Sequence, residues 1–261
     1  MSATGRSIRR DNLNLYVEDL GDGAPALVFL HSWGGSGRTW THVVDALADR
    51  FRCITVDLRG WGRSDRHAED YSLFTQASDI EWVIAALDLK DFVLVGHSMG
   101  GKIAQIVAAR RPPGLRGLVL VAPAPPTPFL ISDDHKRMML ESYASPDSVQ
   151  RALQILTFRP ITDEQRRQLT EDTVGGAQGA KQAWVSQGMA LDISDLAAAI
   201  SCPVGVIVGS ADQVQTESEL RGTLLPLMPQ ARFEILDGVG HLSPLETPVS
   251  VAEAISDFLA V

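Results

Sequence analysis

The apolar run Val93-Leu94-Val95 ends in Gly96-His97-Ser98-Met99-Gly100, and a helical pattern follows at once. This junction leaves few folds open. It requires a strand to become a helix across one sharp turn, with a serine at the apex. Gly96 and Gly100 supply backbone without side chains, so strand and helix can close on each other. The new helix aims its free N–H groups at any negative charge that forms beside the serine.

The rest of the chain supplies the setting. Residues 13–20 alternate apolar and polar, as a half-exposed strand does. The continuous apolar run at 26–30 reads as a strand covered on both faces and 117–121 as another buried strand, and 54–56, 92–95, 204–208 and 232–236 also read as strands. Helical periodicity falls between them, at about 39–48, 74–87 and 102–110, and again at 248–259. Ser36 or Thr39 is the expected cap of the first helix. Strands alternating with helices predict an α/β fold with a mainly parallel sheet and helices on both faces. Pro123, Pro125, Pro126 and Pro128 then break the pattern, and residues 125–190 are helical, polar and without a buried strand. This divides the chain into a core of 1–124 and 191–261 and an inserted helical segment of 125–190.

Composition excludes several classes of function. With 261 residues, 45% of them hydrophobic, the chain can bury one sizeable core. A net charge of −9 argues against nucleic acid or an anionic membrane as partner; solubility is reason enough for it. The two cysteines, Cys53 and Cys202, read as small buried hydrophobes rather than a disulfide or metal ligands. The N-terminus lacks a secretory pattern, and no run approaches the roughly 18 apolar residues of a membrane span. A cytoplasmic location, a small-molecule substrate and no metal or organic cofactor are expected. Oligomeric state is left open.

In such sheets the site lies at the carboxyl ends of the strands. The candidates there are the loop from His31 to Gly35, with Asp57, Ser98, Pro123, Asp212 and His241. Serine needs a general base, and the base needs an orienting acid. Of the six histidines, His42 and His135 read as helix-surface residues and His67 as a loop residue. His97 flanks the serine and points into neighbouring strands, and His31 begins a loop. His241, on a glycine-containing loop after the last strand, is the expected base. Asp212, after the 204–208 strand, is the expected acid: Val121-Ala122-Pro123-Ala124 has none, and Asp237 is too close to His241 along the turn. Acyl transfer also requires two N–H donors for an oxyanion. The backbone of Met99 is one, and Trp33 in His31-Ser32-Trp33-Gly34-Gly35 is the choice for the other.

With these segments, Asp57-Leu58-Arg59-Gly60-Trp61-Gly62-Arg63-Ser64 and the tail from Gly240 to Pro248, the chain resembles the α/β-hydrolase superfamily over nearly its full length. The resemblance implies eight strands, a cap inserted after the sixth, and a loop organised by Asp57 and Arg59. It also implies hydrolysis of small or medium carboxylic esters through an acyl-enzyme, with Ser98 as nucleophile, His241 as base and acid, and Asp212 orienting. Carbon–carbon bond hydrolases, lactonases, perhydrolases and non-catalytic ligand receptors share the fold and stay open. The family's dehalogenases carry aspartate where Ser98 stands, which disfavours that chemistry. Ser32 departs from the family's usual glycine; its side chain either narrows the oxyanion loop or adds a donor. Phe129, Met138, Met139, Leu140, Leu156, Phe158, Trp184 and Met189 are available for an apolar roof.

Overall fold

The computed structural model describes residues 4–260. Its strands are β1 (Thr4–Arg10), β2 (Leu13–Leu20), β3 (Ala26–Leu30), β4 (Cys53–Val56), β5 (Phe92–His97), β6 (Leu115–Val121), β7 (Val204–Gly209) and β8 (Arg232–Leu236). They form one sheet in the order β1-β2-β4-β3-β5-β6-β7-β8. From β4 to β8 all neighbours are parallel, while β2 runs antiparallel to both β1 and β4. The sheet is therefore mixed at one edge. The sequence pattern missed β1 because only Ile8 in it is buried; an exposed edge strand has no apolar alternation to read. Side contacts hold it instead: Trp82 Nε1 donates to the Arg9 carbonyl and Arg10 pairs with Asp79 at 2.7 Å.

The helices are α1 (Thr41–Leu47), α2 (Leu73–Ala86), α3 (Met99–Ala109), α4 (Asp133–Ser142), α5 (Pro146–Leu156), α6 (Asp163–Gly175), α7 (Gln178–Ala183), α8 (Ser194–Ala198), α9 (Glu217–Leu224), α10 (Ser243–Glu246) and α11 (Pro248–Leu259). The expected helix at 39–48 begins as a 3-10 turn, Gly37–Trp40, in which the Ser36 side chain accepts from Arg38 N–H, and then continues as α1.

Alternation along the strands divides the core. In β3, Leu27 and Phe29 face Val43, Leu47 and Ile255 of α1 and α11, whereas Val28 and Leu30 share the opposite cluster with α2 and α3 residues. Each face must be covered because each is apolar, and this is why the chain winds to both sides of the sheet.

Register places the site. Leu30 aligns with Val56 on one side and Gly96 on the other, and His97 aligns with Val121. Asp57, Ser98 and the loop after β3 therefore emerge at one edge. Between β6 and β7 lie α4 to α8. The first three of these are capped by Ser132, Ser145 and Thr162, the last two in capping boxes. A separate apolar cluster of Leu153, Ile161 and Leu169 with Leu242 and Leu245 binds α5 and α6 to the segment after β8.

Candidate active site

Ser98 sits at the turn with φ 52° and ψ −114°, a conformation that costs a non-glycine residue about 1–3 kcal/mol. The glycines beside it make room. A Cβ on Gly96 would lie 2.5 Å from the Gly100 carbonyl oxygen, and one on Gly100 would lie 2.5 Å from that of Leu30. The turn is held to β6 by hydrogen bonds from Ser98 N–H to the Val121 carbonyl and from Ala124 N–H to the Ser98 carbonyl.

The structure brings the three predicted side chains into one chain of contacts. Ser98 Oγ is 3.1 Å from His241 Nε2, and His241 Nδ1 is 2.8 Å from Asp212 Oδ2. The second Asp212 oxygen accepts from Val214 N–H at 2.7 Å and Gln215 N–H at 3.0 Å. Burial pushes the Asp212 carboxyl upward, but the neighbouring His241 and these hydrogen bonds outweigh it and hold the group below its ordinary value. A carboxylate there fixes the tautomer: Nδ1 carries the proton and Nε2 is free to accept from the serine. The N–H groups of Trp33 and Met99 have no acceptor among the described residues.

The other buried histidines have separate tasks. His31 Nδ1 donates to the Ser32 carbonyl at 2.8 Å and Nε2 accepts from Leu58 N–H at 3.0 Å, joining the loops after β3 and β4. Burial lowers its pKa against the Ser32 hydrogen bond. His97 Nε2 donates to the backbone carbonyl of His241 at 2.9 Å. Burial, and then the nearby His241, push His97 down to about 3. Both imidazoles are therefore neutral in the folded protein. Below pH ~6.5 the unfolded chain binds protons that the native His97 refuses, so stability falls with pH down to about 3. The expected slope is about 1.4 kcal/mol per pH unit from His97 alone. The lowered Asp212 carboxyl acts in the same sense at more acidic pH, since its stabilisation is lost as pH falls through its folded value. Urea unfolding at pH 7, 6 and 5 checks this; a flat midpoint contradicts it.

The predicted loop network is present. Asp57 accepts from Gly37 N–H at 2.6 Å and Arg63 N–H at 2.8 Å, and Arg59 grips Asp79 with two nitrogens. Contacts from α6 and from Tyr143, just after α4, were not visible in the sequence. Asp172 bridges Ser36 at 2.7 Å and Arg38 at 2.5 Å, Thr173 donates to the Gly34 carbonyl, and Tyr143 stacks on Trp33 with ring centroids 4.0 Å apart. Glu246 was also missed. One of its oxygens accepts from the N–H groups of Phe158, Arg159 and Gly240 at 2.7–2.9 Å, and the N–H groups of His241 and Leu242 both reach the Leu156 carbonyl. Nothing in the local pattern distinguishes Glu246 from a surface helix residue. Glu246→Ala leaves three N–H groups without their acceptor, so a loss of about 2–3 kcal/mol is expected. Differential scanning calorimetry would register it as a Tm drop of roughly 4–10 °C; an unchanged Tm contradicts the assigned role.

A cavity of about 640 Å³ opens over Ser98 and His241. Of the apolar residues expected in its roof, Phe129, Met138, Met139, Leu156, Trp184 and Met189 line it; Leu140 and Phe158 do not. Ser32 lines the cavity too, and its carbonyl accepts from Gly35 N–H. Among the described residues no cluster of three or more His, Cys, Asp or Glu is arranged to hold a metal, and no helix is long and apolar enough to cross a membrane.

A family model for the alpha/beta hydrolase fold matches residues 25–248. The chain belongs to the alpha/beta hydrolase family. It is similar to other members over nearly its whole length. It is 28% identical to a non-heme chloroperoxidase of Kitasatospora aureofaciens, the match covering 89% of this chain and 90% of that one. It is 28% identical to a pimeloyl-[acyl-carrier protein] methyl ester esterase of Yersinia pseudotuberculosis, covering 94% and 96%. Among solved members of the fold, an esterase from Exiguobacterium antarcticum superposes with a TM-score of 0.90 at 23% identity, covering 99% of this chain and 100% of that one.

Proposed function

We propose that the protein is a serine hydrolase that cleaves small or medium carboxylic esters through an acyl-enzyme. The observation that carries this reading is the unbroken line Asp212–His241–Ser98, set beside two unused backbone N–H groups. Ser98 Oγ attacks the ester carbonyl carbon as His241 Nε2 takes its proton. Asp212 stabilises the resulting imidazolium, and the N–H groups of Trp33 and Met99 receive the oxyanion. Collapse expels the alcohol, which takes the proton from His241. Water, deprotonated by His241, then attacks the acyl-enzyme and releases the acid. The segment 125–190 serves as a cap that walls the cavity with apolar side chains.

Steady-state hydrolysis of p-nitrophenyl esters from acetate to octanoate tests the reading. Serine-dependent turnover that falls with acyl length supports a small acyl pocket; no turnover by folded protein overturns the esterase assignment. The chloroperoxidase relative favours one second reading, in which hydrogen peroxide replaces water at the acyl-enzyme and yields a peracid. Peracid formation from acetate and peroxide distinguishes it.

A further inference from the structure

Two lysines are buried in this protein, and they differ in one respect. Lys181 Nζ donates to the carbonyls of Tyr143 and Val174 at 3.0 and 3.1 Å. Lys102 is only 1% exposed and lines the cavity over Ser98, and its Nζ makes no hydrogen bond or close ion pair among the described residues. It lies one helical turn beyond the serine, its N–H bonded to the Ser98 carbonyl. Helical side chains lean toward the N-terminus of their helix, which here is the end that carries Ser98.

The Lys102 stem is buried while its ammonium, without a protein partner, is left to water or a ligand in the cavity, since a charge with neither is costly. Asp192 is the opposing charge that acts on it, and it acts through space, without a hydrogen bond or close ion pair; Oδ1 of that carboxylate accepts from Ser194 N–H and hydroxyl. Burial lowers Lys102 to about 8, so the amine is about nine-tenths protonated at pH 7. The remaining charged or titratable groups on the cavity wall are His135 and Glu141 of α4, Tyr143 just after it, Arg151 of α5, and His241.

We propose that Lys102 is an anion-binding group of the substrate cavity, and that the preferred esters carry a second, carboxylate group which its ammonium binds while Ser98 attacks the ester. This rests on the ester-hydrolase reading above. One helical turn separates the two residues, so a spacer of about two to four carbons between the carboxylate and the ester carbonyl fits the reach.

The test uses matched pairs at pH 7. Methyl hydrogen succinate, glutarate and adipate are compared with methyl butyrate, valerate and hexanoate by methanol release, and 4-acetoxybutanoate with butyl acetate for the leaving-group side. The wild type is expected to favour at least one anionic member by about 10- to 100-fold in kcat/KM. In Lys102→Met that ratio is expected to fall to about one. In the wild type the ratio is expected to fall as pH rises through about 8. A wild-type ratio near or below one in every pair, or one kept in Lys102→Met, overturns the proposal.

If Lys102→Met does not fold, Lys102→Gln and the wild-type pH profile decide. Neutral esters cleaved only when Ser98 is present, with no anionic preference, defeat the Lys102 proposal alone. Hydrolysis that survives Ser98→Ala defeats the underlying reading. If no ester is turned over, protection of Ser98 from a fluorophosphonate label by glutarate, lost in Lys102→Met, still supports anion binding; absence of protection overturns it.

Discussion

Ser98→Ala is expected to lower kcat/KM for p-nitrophenyl butyrate by about four to six orders of magnitude. The size follows from what is lost. Among the described residues, Ser98 Oγ is the nucleophilic atom hydrogen-bonded to His241 Nε2, at 3.1 Å from that base. Alanine keeps the backbone, and with it the N–H groups of Trp33 and Met99, so the residual rate reflects binding and oxyanion stabilisation alone. Folding should survive, since the unusual φ of 52° is set by the surrounding turn and both residues carry a Cβ. The variant should melt within a few degrees of the wild type and fail to react with a fluorophosphonate. Turnover within tenfold of wild type would sink the covalent mechanism.

The second large effect belongs to Asp212→Asn, with a loss of about four orders of magnitude at neutral pH. The argument is one of proton placement. Asp212 Oδ1 is committed to Val214 and Gln215 N–H groups, so only Oδ2 faces His241. In the variant the retained carbonyl oxygen satisfies those two donors and the amide nitrogen faces the ring. Nδ1 must then accept, the proton moves to Nε2, and the imidazole presents a donor to Ser98 where an acceptor is needed. Nitrogen-15 NMR of His241 would report the change of tautomer directly, alongside the kinetics. A fall of less than about tenfold would assign the acid's role to another group.

What the sequence made legible was whatever local chemistry enforces. The serine turn is written in Gly96 and Gly100, because any side chain there collides with backbone. The strand ends were readable where apolar runs are covered on both faces, as in β7 before Asp212, whereas β8 before His241 is only half covered. Contacts made across long stretches of chain were not legible. Asp172 reaches Ser36 across 136 positions, and Glu246 reaches Phe158 across 88; either carboxylate alone resembles a solvated helix residue. The edge strand β1 was invisible for the opposite reason, being too exposed to leave a pattern. Lys102 read as an ordinary helix position, since burial without a partner is a property of the folded cavity.

The ties from Asp172, Thr173 and Tyr143 to the loop after β3, and from Leu156 to the backbone of His241, bear on how this scaffold could be re-engineered. The helices over the cavity are not a detachable roof resting on a finished catalytic floor. Exchanging them for those of another member would remove anchors from both the oxyanion loop and the general base. A graft meant to change substrate range would have to carry those four residues, or equivalents, with it. Otherwise chimaeras are expected to lose turnover on every substrate at once, rather than trade one specificity for another.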